Sequence, residues 1–346
     1  MESQRELQLL LAKSAVIGSD HMLIQGAGGN VSIKSGDAML VKASGTCLRD
    51  AEKQNIFVTV SRTGVLDMLR RAEENFASLV PGSFRPSIET PLHALMPQPV
   101  VVHAHCIHTI TRSVMGQTLD EFQALLPDAT CAFIPYRRPG LPLAYAVQQA
   151  LQAGEPNVLI MQNHGVVVGG DTVEQAFDLL DYVREKLAVE PRATVAADED
   201  FLRQRNDCQW TIPDNALWHT LATDAATFVC AGEGVFYPDH VVFLGTVLPV
   251  AEHNEAASVA VRRLSGHMLN PPRYLLYRGK GLLVAGDLFE SESDMLDALA
   301  LVCTRIRPTA PLSTLSASDV DDLVNWDAEK FRRSLGLGEG TPCSGR

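Results

Sequence analysis

Three histidines in two short apolar segments carry the clearest chemical signal of this chain: His103 and His105 in VVVHAHC, and His164 in IMQNHGVVV. Both segments read as β-branched strands ending in polar residues. On a strand, positions i and i+2 share a face, so His103 and His105 can grip one ion together. Three neutral imidazoles leave open coordination positions on a divalent cation, the arrangement of a catalytic rather than a closed structural site. Glu89 lies just upstream, in RPSIETPLHA. A carboxylate beside such a cation can take a proton from a carbon whose neighbouring oxygen the metal polarises. A glutamate at that point also suits the positive end of a helix, so both readings stay open. Two glycine-containing turns, GAGGN at 26–30 and ASGT at 43–46, offer backbone N–H groups and the side chains of Asn30, Ser44 and Thr46 to an anion. Neither is a Walker loop, and GAGG does not continue as GxGxxG into a helix.

Regular elements must hold these residues. Residues 4–18 place Leu7, Leu10, Leu11, Ala15 and Ile17 at helical spacing. Strands are expected at VSIK, AMLVK, NIFVTV, PVVVHAHC, CAFIPY and VLIMQNHGVVVGG. Helices are expected at SRTGVLDMLRRAEE with Ser61 or Thr63 as cap, from Pro86 and Ser87 through SIETPLHALM, at LAYAVQQALQAG, and at TVEQAFDLLDYVREKLA capped by Asp171 or Thr172. This alternation predicts an α/β fold with helices on both faces of the sheet.

A chain of 346 residues, 46% hydrophobic, can bury a sizeable core and is long enough for two domains. Its net charge of −12 and the lack of any Lys/Arg run argue against nucleic acid as partner. No apolar stretch reaches the ~18 residues of a membrane span. The N-terminal MESQRELQLLLAKSA lacks the features of a signal peptide. Seven cysteines, Cys47, Cys106, Cys131, Cys208, Cys230, Cys303 and Cys343, show no CxxC spacing and read as reduced thiols of a cytoplasmic protein.

From about 189 to 210 the sequence turns polar and irregular, which places a domain boundary near 190/191. Beyond it, PRYLLYRGKGLLVAGD at 272–287 aligns without gaps to PNVLIMQNHGVVVGGD at 156–171. The match fits either a degenerate internal repeat or two hairpins meeting one geometric need. Lys280 stands where His164 stands in the first copy. The second half has no HxH, with His240, His253 and His267 scattered through it, so no equivalent metal site is expected there.

GAGGNVSIK, VKASGT, PSIETPLHALMP, VVHAHCIHT and NHGVVVGGD occur in an order and spacing that resemble the class II aldolase/adducin family over roughly residues 5–190. The longer pattern, PSIETPLHALMP with FYPDHVVFLG and a Gly-rich strand pair in the second half, resembles the aldolase portion of aldolase/short-chain-dehydrogenase fusions, without a GxGxxG motif downstream. The resemblance implies a three-layer α/β/α catalytic domain at 1–190 and a second, smaller α/β domain at 191–346. It implies one divalent ion, zinc foremost, with manganese or iron(II) as alternatives, on His103, His105 and His164. It implies Glu89 as catalytic acid/base and Gly29, Asn30, Ser44, Gly45 and Ser87 as substrate contacts. Lys42 is a further anion partner, although it also reads as an exposed strand-end lysine. Ile88 fills a place where aldolases of the family often have a second serine, which widens the expected substrates from a phosphate to a carboxylate or a bare sugar.

The implied activity is a metal-dependent lyase that breaks or forms a C–C bond in a small sugar derivative through a metal-stabilised enediolate, with no Schiff-base lysine. A 4-epimerase, a 3-oxo-acid decarboxylase or a metal-dependent oxygenase could use the same parts. A non-catalytic adducin-like scaffold is the contrasting reading. Adducin-type domains have lost the metal histidines, whereas this chain keeps all three. The family also implies a homo-oligomer, tetramer or dimer.

Overall fold

The computed structural model describes residues 2–326 apart from 83, 269 and 270, so Cys343 lies outside the described residues. Seven strands form one sheet: β1 (Asn30–Ser35), β2 (Ala38–Lys42), β3 (Phe57–Ser61), β4 (Val100–Ala104), β5 (Cys131–Ile134), β6 (Val158–Met161) and β7 (Gly165–Gly170). Their order is β3-β2-β1-β4-β7-β6-β5, which puts the HxH strand at the centre. Strands and helices alternate as expected, yet only β5 and β6 are parallel neighbours. Short turns join β1 to β2 and β6 to β7 and force those pairs to run antiparallel.

Side-chain alternation divides the core into two layers. Val100, Val102, Ile160, Val166 and Val168 pack with Leu10, Phe177 and Leu180 from the helices Glu2–Gly18 and Val173–Lys186. Val101, Leu159 and Val167 face the other way, against Leu92 of the helix Thr90–Leu95 and Leu143 and Val147 of Leu141–Ala153. Helices therefore cover both faces, giving the three-layer arrangement. His103 shares its face with Val101 and so points toward the helix that follows Glu89.

That helix starts later than the sequence suggests. Pro86 and Ser87 are not helical, and the helix runs Thr90–Leu95 with Glu89 as its N-cap residue. Pro91 is the second residue of that helix, in the first turn, where a missing backbone N–H costs no helical hydrogen bond. Ser61 caps the helix Arg62–Arg70, and Thr172 caps Val173–Lys186.

The second region has its own sheet: β8 (Trp210–Thr211), β9 (Val250–Ala251), β10 (Tyr274–Tyr277) and β11 (Gly281–Ala285), in the order β8-β11-β10-β9. It matches β4-β7-β6-β5 in order and direction, with an antiparallel hairpin in the middle and a parallel pair at one edge. A helix joins each parallel pair, Leu141–Ala153 in one and Ala257–Ser265 in the other. A 14-residue helix follows each hairpin. The likeness at 156–171 and 272–287 thus extends to whole topological units.

The polar stretch 189–210 is less irregular than its composition suggests, because Asp198 caps a helix at Glu199–Arg205. The helix Ile107–Val114, not expected from the sequence, sends Ile107, Ile110 and Val114 into a core with Leu221, Phe236, Leu276 and Leu296. The two regions are packed together through that helix. No helix among the described residues is long and apolar enough to cross a membrane.

Candidate active site

His103 sits on β4, His105 directly after it, and His164 in the turn between β6 and β7. Their ring centroids stand 4.9–5.2 Å apart. One nitrogen from each lies within 4.8 Å of the others, and all three side chains are buried. The i, i+2 spacing brings the first two together as the strand period requires. Gly165, next to His164, has φ 151°, and a Cβ there would lie 2.3 Å from the Ala104 carbonyl oxygen, so only glycine lets the turn come so close to β4. Gly28 meets a similar demand, since a Cβ on it would stand 2.7 Å from His105 Nδ1.

Glu89 points into this cluster and makes no side-chain cap to its helix. Its Oε2 lies 3.4 Å from His103 Nε2 and its Oε1 3.3 Å from His164 Nε2. Asn30 pairs across the β1–β4 ladder with His103, so the two share a face. Its Nδ2 donates to Glu89 Oε2 at 2.7 Å.

Burial pushes the imidazoles down, His164 to about 3 despite Glu89, and His103 also below the usual range. Burial raises the Glu89 carboxyl, but His103, His164 and His105 outweigh it and hold it at about 2.

These residues fit a divalent cation. His103 Nδ1–H donates to the Val166 carbonyl at 3.0 Å, which fixes the tautomer and leaves Nε2 as a lone-pair donor. That Nε2 and His164 Nδ1 are buried without a hydrogen-bond partner. Buried polar atoms are rarely left so unless a ligand completes them.

A cleft opens over the cluster, lined by Gly29, Asn30, Lys42, Ser44, Gly45, Ser87 and Glu89. The structure thus gathers every sequence-predicted contact residue except Thr46 around one opening, with His105 and His164 at its wall. Three details differ from expectation. Lys42 is not an exposed strand-end lysine but is buried beneath the glycine turn, where its Nζ donates to the Ala27 carbonyl at 2.9 Å. The Ser44 amide already donates to Arg85, so an anion would meet the Ser44 hydroxyl rather than its N–H. Thr46 closes its own turn through Ala43 and does not line the cleft.

The opposite wall comes from the second region: Tyr237, Pro238 and Asp239. Asp239 Oδ2 lies 3.3 Å from His105 Nδ1. These residues lie more than 130 positions from the HxH in the chain, and no local spacing marks them. The one available signal was the segment FYPDHVVFLG, an acidic residue and an aromatic in an otherwise apolar run.

The sequence profile described as "Class II Aldolase and Adducin N-terminal domain" matches residues 10–190, just over half of the chain. An uncharacterized oxidoreductase of Bacillus subtilis (strain 168), YuxG, is 28% identical over 204 residues, covering 51% of this chain and 29% of that protein. This chain thus matches less than a third of that relative's length. The N-terminal class II aldolase domain of a conserved protein from Thermoplasma acidophilum is 25% identical, covering 51% of this chain and 90% of that one, with a TM-score of 0.46. An L-fuculose-1-phosphate aldolase from Thermus thermophilus is 21% identical, covering 52% and 92%, with a TM-score of 0.38.

Proposed function

Since the chain belongs to the class II aldolase and adducin N-terminal domain family, we propose that it is a metal-dependent lyase of the aldolase type. It acts on a small sugar, sugar phosphate or sugar acid. The observation that carries this reading is the convergence of three buried imidazoles, within 4.8 Å, on the carboxylate of Glu89 at the floor of an open cleft.

His103, His105 and His164 hold the ion, with zinc as first choice and manganese or iron(II) as alternatives. When bound, such an ion polarises a substrate oxygen and spreads the charge that develops as a C–C bond breaks. Glu89 takes the proton at the carbon next to that oxygen or returns it. Asn30 fixes the carboxylate by donating to Oε2. Lys42, the hydroxyls of Ser44 and Ser87, and the glycine turn at Gly29 and Gly45 receive the polar or anionic end of the substrate. The retained histidines and glutamate argue against a scaffold role.

Glu89→Gln tests the reading. The variant should keep the metal content of the wild type while aldol cleavage of a panel of 2-ketoses and 2-keto acids falls by roughly a hundredfold or more. Equal turnover in both proteins removes Glu89 from the chemistry.

A further inference from the structure

The segment Phe236–Leu244 belongs to the region outside the family match, yet it is held as firmly as the core of the matched domain. Asn163, the neighbour of His164, donates through Nδ2 to the carbonyls of Phe236 at 2.8 Å and Ser313 at 2.7 Å. Asn163 has φ 57°, so the turn that presents His164 also turns this amide toward the second region. The Phe236 N–H is directed at His240 Nδ1 at 3.5 Å, and His240 to Leu244 form a π-helical turn, a rare geometry that recurs at functional sites. Between these anchors lie Tyr237, Pro238 and Asp239, on the wall of the cleft.

Two observations within this segment point to a ligand. Tyr237 lines the cleft, and its hydroxyl is buried with no hydrogen-bond partner among the described residues. An unpaired buried hydroxyl is costly unless something else satisfies it. The carboxylate of Asp239 is 3% exposed and stands 3.3 Å from the imidazole of His105. A carboxylate that accepts the ring N–H of a histidine ligand fixes the ring and raises its basicity.

On the reading of the metal centre given above, we propose that the second region completes the active site in the same chain. Asp239 is a positioning residue that sets the orientation of His105 toward the ion. Tyr237 donates its hydroxyl hydrogen to an oxygen of the bound substrate. Burial pushes the Tyr237 phenol well above its ordinary range, so the hydroxyl keeps its proton at any working pH. The second region then acts as a built-in wall, and metal affinity depends on a residue that the family profile does not reach.

The test uses the full-length protein, stripped of metal and titrated with cobalt(II), whose visible spectrum reports its ligand geometry. D239N should bind cobalt roughly ten- to a hundredfold more weakly, with an altered spectrum. D239E should lie between the two. Y237F should keep the wild-type cobalt affinity and spectrum, but bind glycolate to the cobalt-loaded protein roughly three- to tenfold more weakly. Wild-type cobalt affinity and spectrum in D239N, or unchanged glycolate binding in Y237F, would overturn the corresponding assignment. If D239N does not fold, D239E reads the same point: an unchanged spectrum sinks the proposal. H103A separates the two levels of the argument. Loss of cobalt there with no effect in D239N leaves the metal centre standing and removes Asp239, whereas H103A binding cobalt like the wild type refutes both.

Discussion

Two hairpins of this molecule share one backbone and have opposite chemistry. Met161 pairs with Gly165 across the β6–β7 turn, and Tyr277 pairs with Gly281 across β10–β11. The middle turn residue is left-handed in both, Asn163 at φ 57° and Gly279 at φ 72°, and the glycine that restarts each strand has φ 151° or 135°. The residue between them is His164 in one and Lys280 in the other. His164 is buried among imidazoles, whereas Lys280 reaches Asp198 at 2.7 Å near the surface. The neighbouring strands account for the difference. β4 lies beside β7 and supplies the histidines, while the two-residue strand β8 lies beside β11 and brings no ligand. One scaffold thus positions a reactive side chain only where its neighbour strand carries the partners, and elsewhere the same turn serves packing.

Exchanging residues between the hairpins tests this. His164→Lys should have the largest effect. It removes one imidazole and places an ammonium beside the other two, so the metal content of purified protein should fall to background and activity with it. Retained metal would break the contrast between the hairpins.

Next come the glycines. A Cβ at residue 165 meets a backbone oxygen at 2.3 Å, whereas at residue 281 it meets the side chains of His219, Ala197 and Leu202 at 2.9–3.0 Å. Side chains yield more readily than backbone. Gly165→Ala should therefore cost about 3 kcal/mol or more, and Gly281→Ala about 1–3 kcal/mol, in denaturant unfolding. Equal costs would show that the two turns are not constrained as described.

Asn163→Gly preserves the left-handed turn but removes the two bonds to Phe236 and Ser313. About 1–3 kcal/mol should be lost, while the mirror change Gly279→Asn, at a position with open space around it, should be close to neutral. The smallest effect belongs to Lys280→His. Losing a partly exposed ion pair costs about 1 kcal/mol or less, and metal content per chain should not rise. A second ion in that variant would mean that the scaffold alone can build a site.

Much of this site is legible in the amino-acid sequence because its signals are local. HxH on a β-branched run fixes two ligands through the strand period, and NHG marks a turn that a larger residue could not make. What stays hidden depends on long-range placement. Lys42 reads as the exposed end of a strand, but the glycine turn at 26–29 folds over it. Glu89 reads as a residue inside a helix, yet the helix starts only at Thr90, and Glu89, as its N-cap residue, makes no side-chain cap and turns its carboxylate to the cluster. The helix Ile107–Val114 is poor in strong helix formers, three of its residues being Thr or Ser, and is held by packing rather than propensity. Tyr237 and Asp239 reach the cleft only through the docking of the second region; FYPDHVVFLG marks the segment but not its place in the fold.

The account rests on the metal centre, and the most direct measurement is the metal content per chain of the purified wild type beside His103→Ala. About one zinc, manganese or iron per wild-type chain, and none in the variant, is the predicted result. No ion in the wild type, even after incubation with each of these metals, would contradict it.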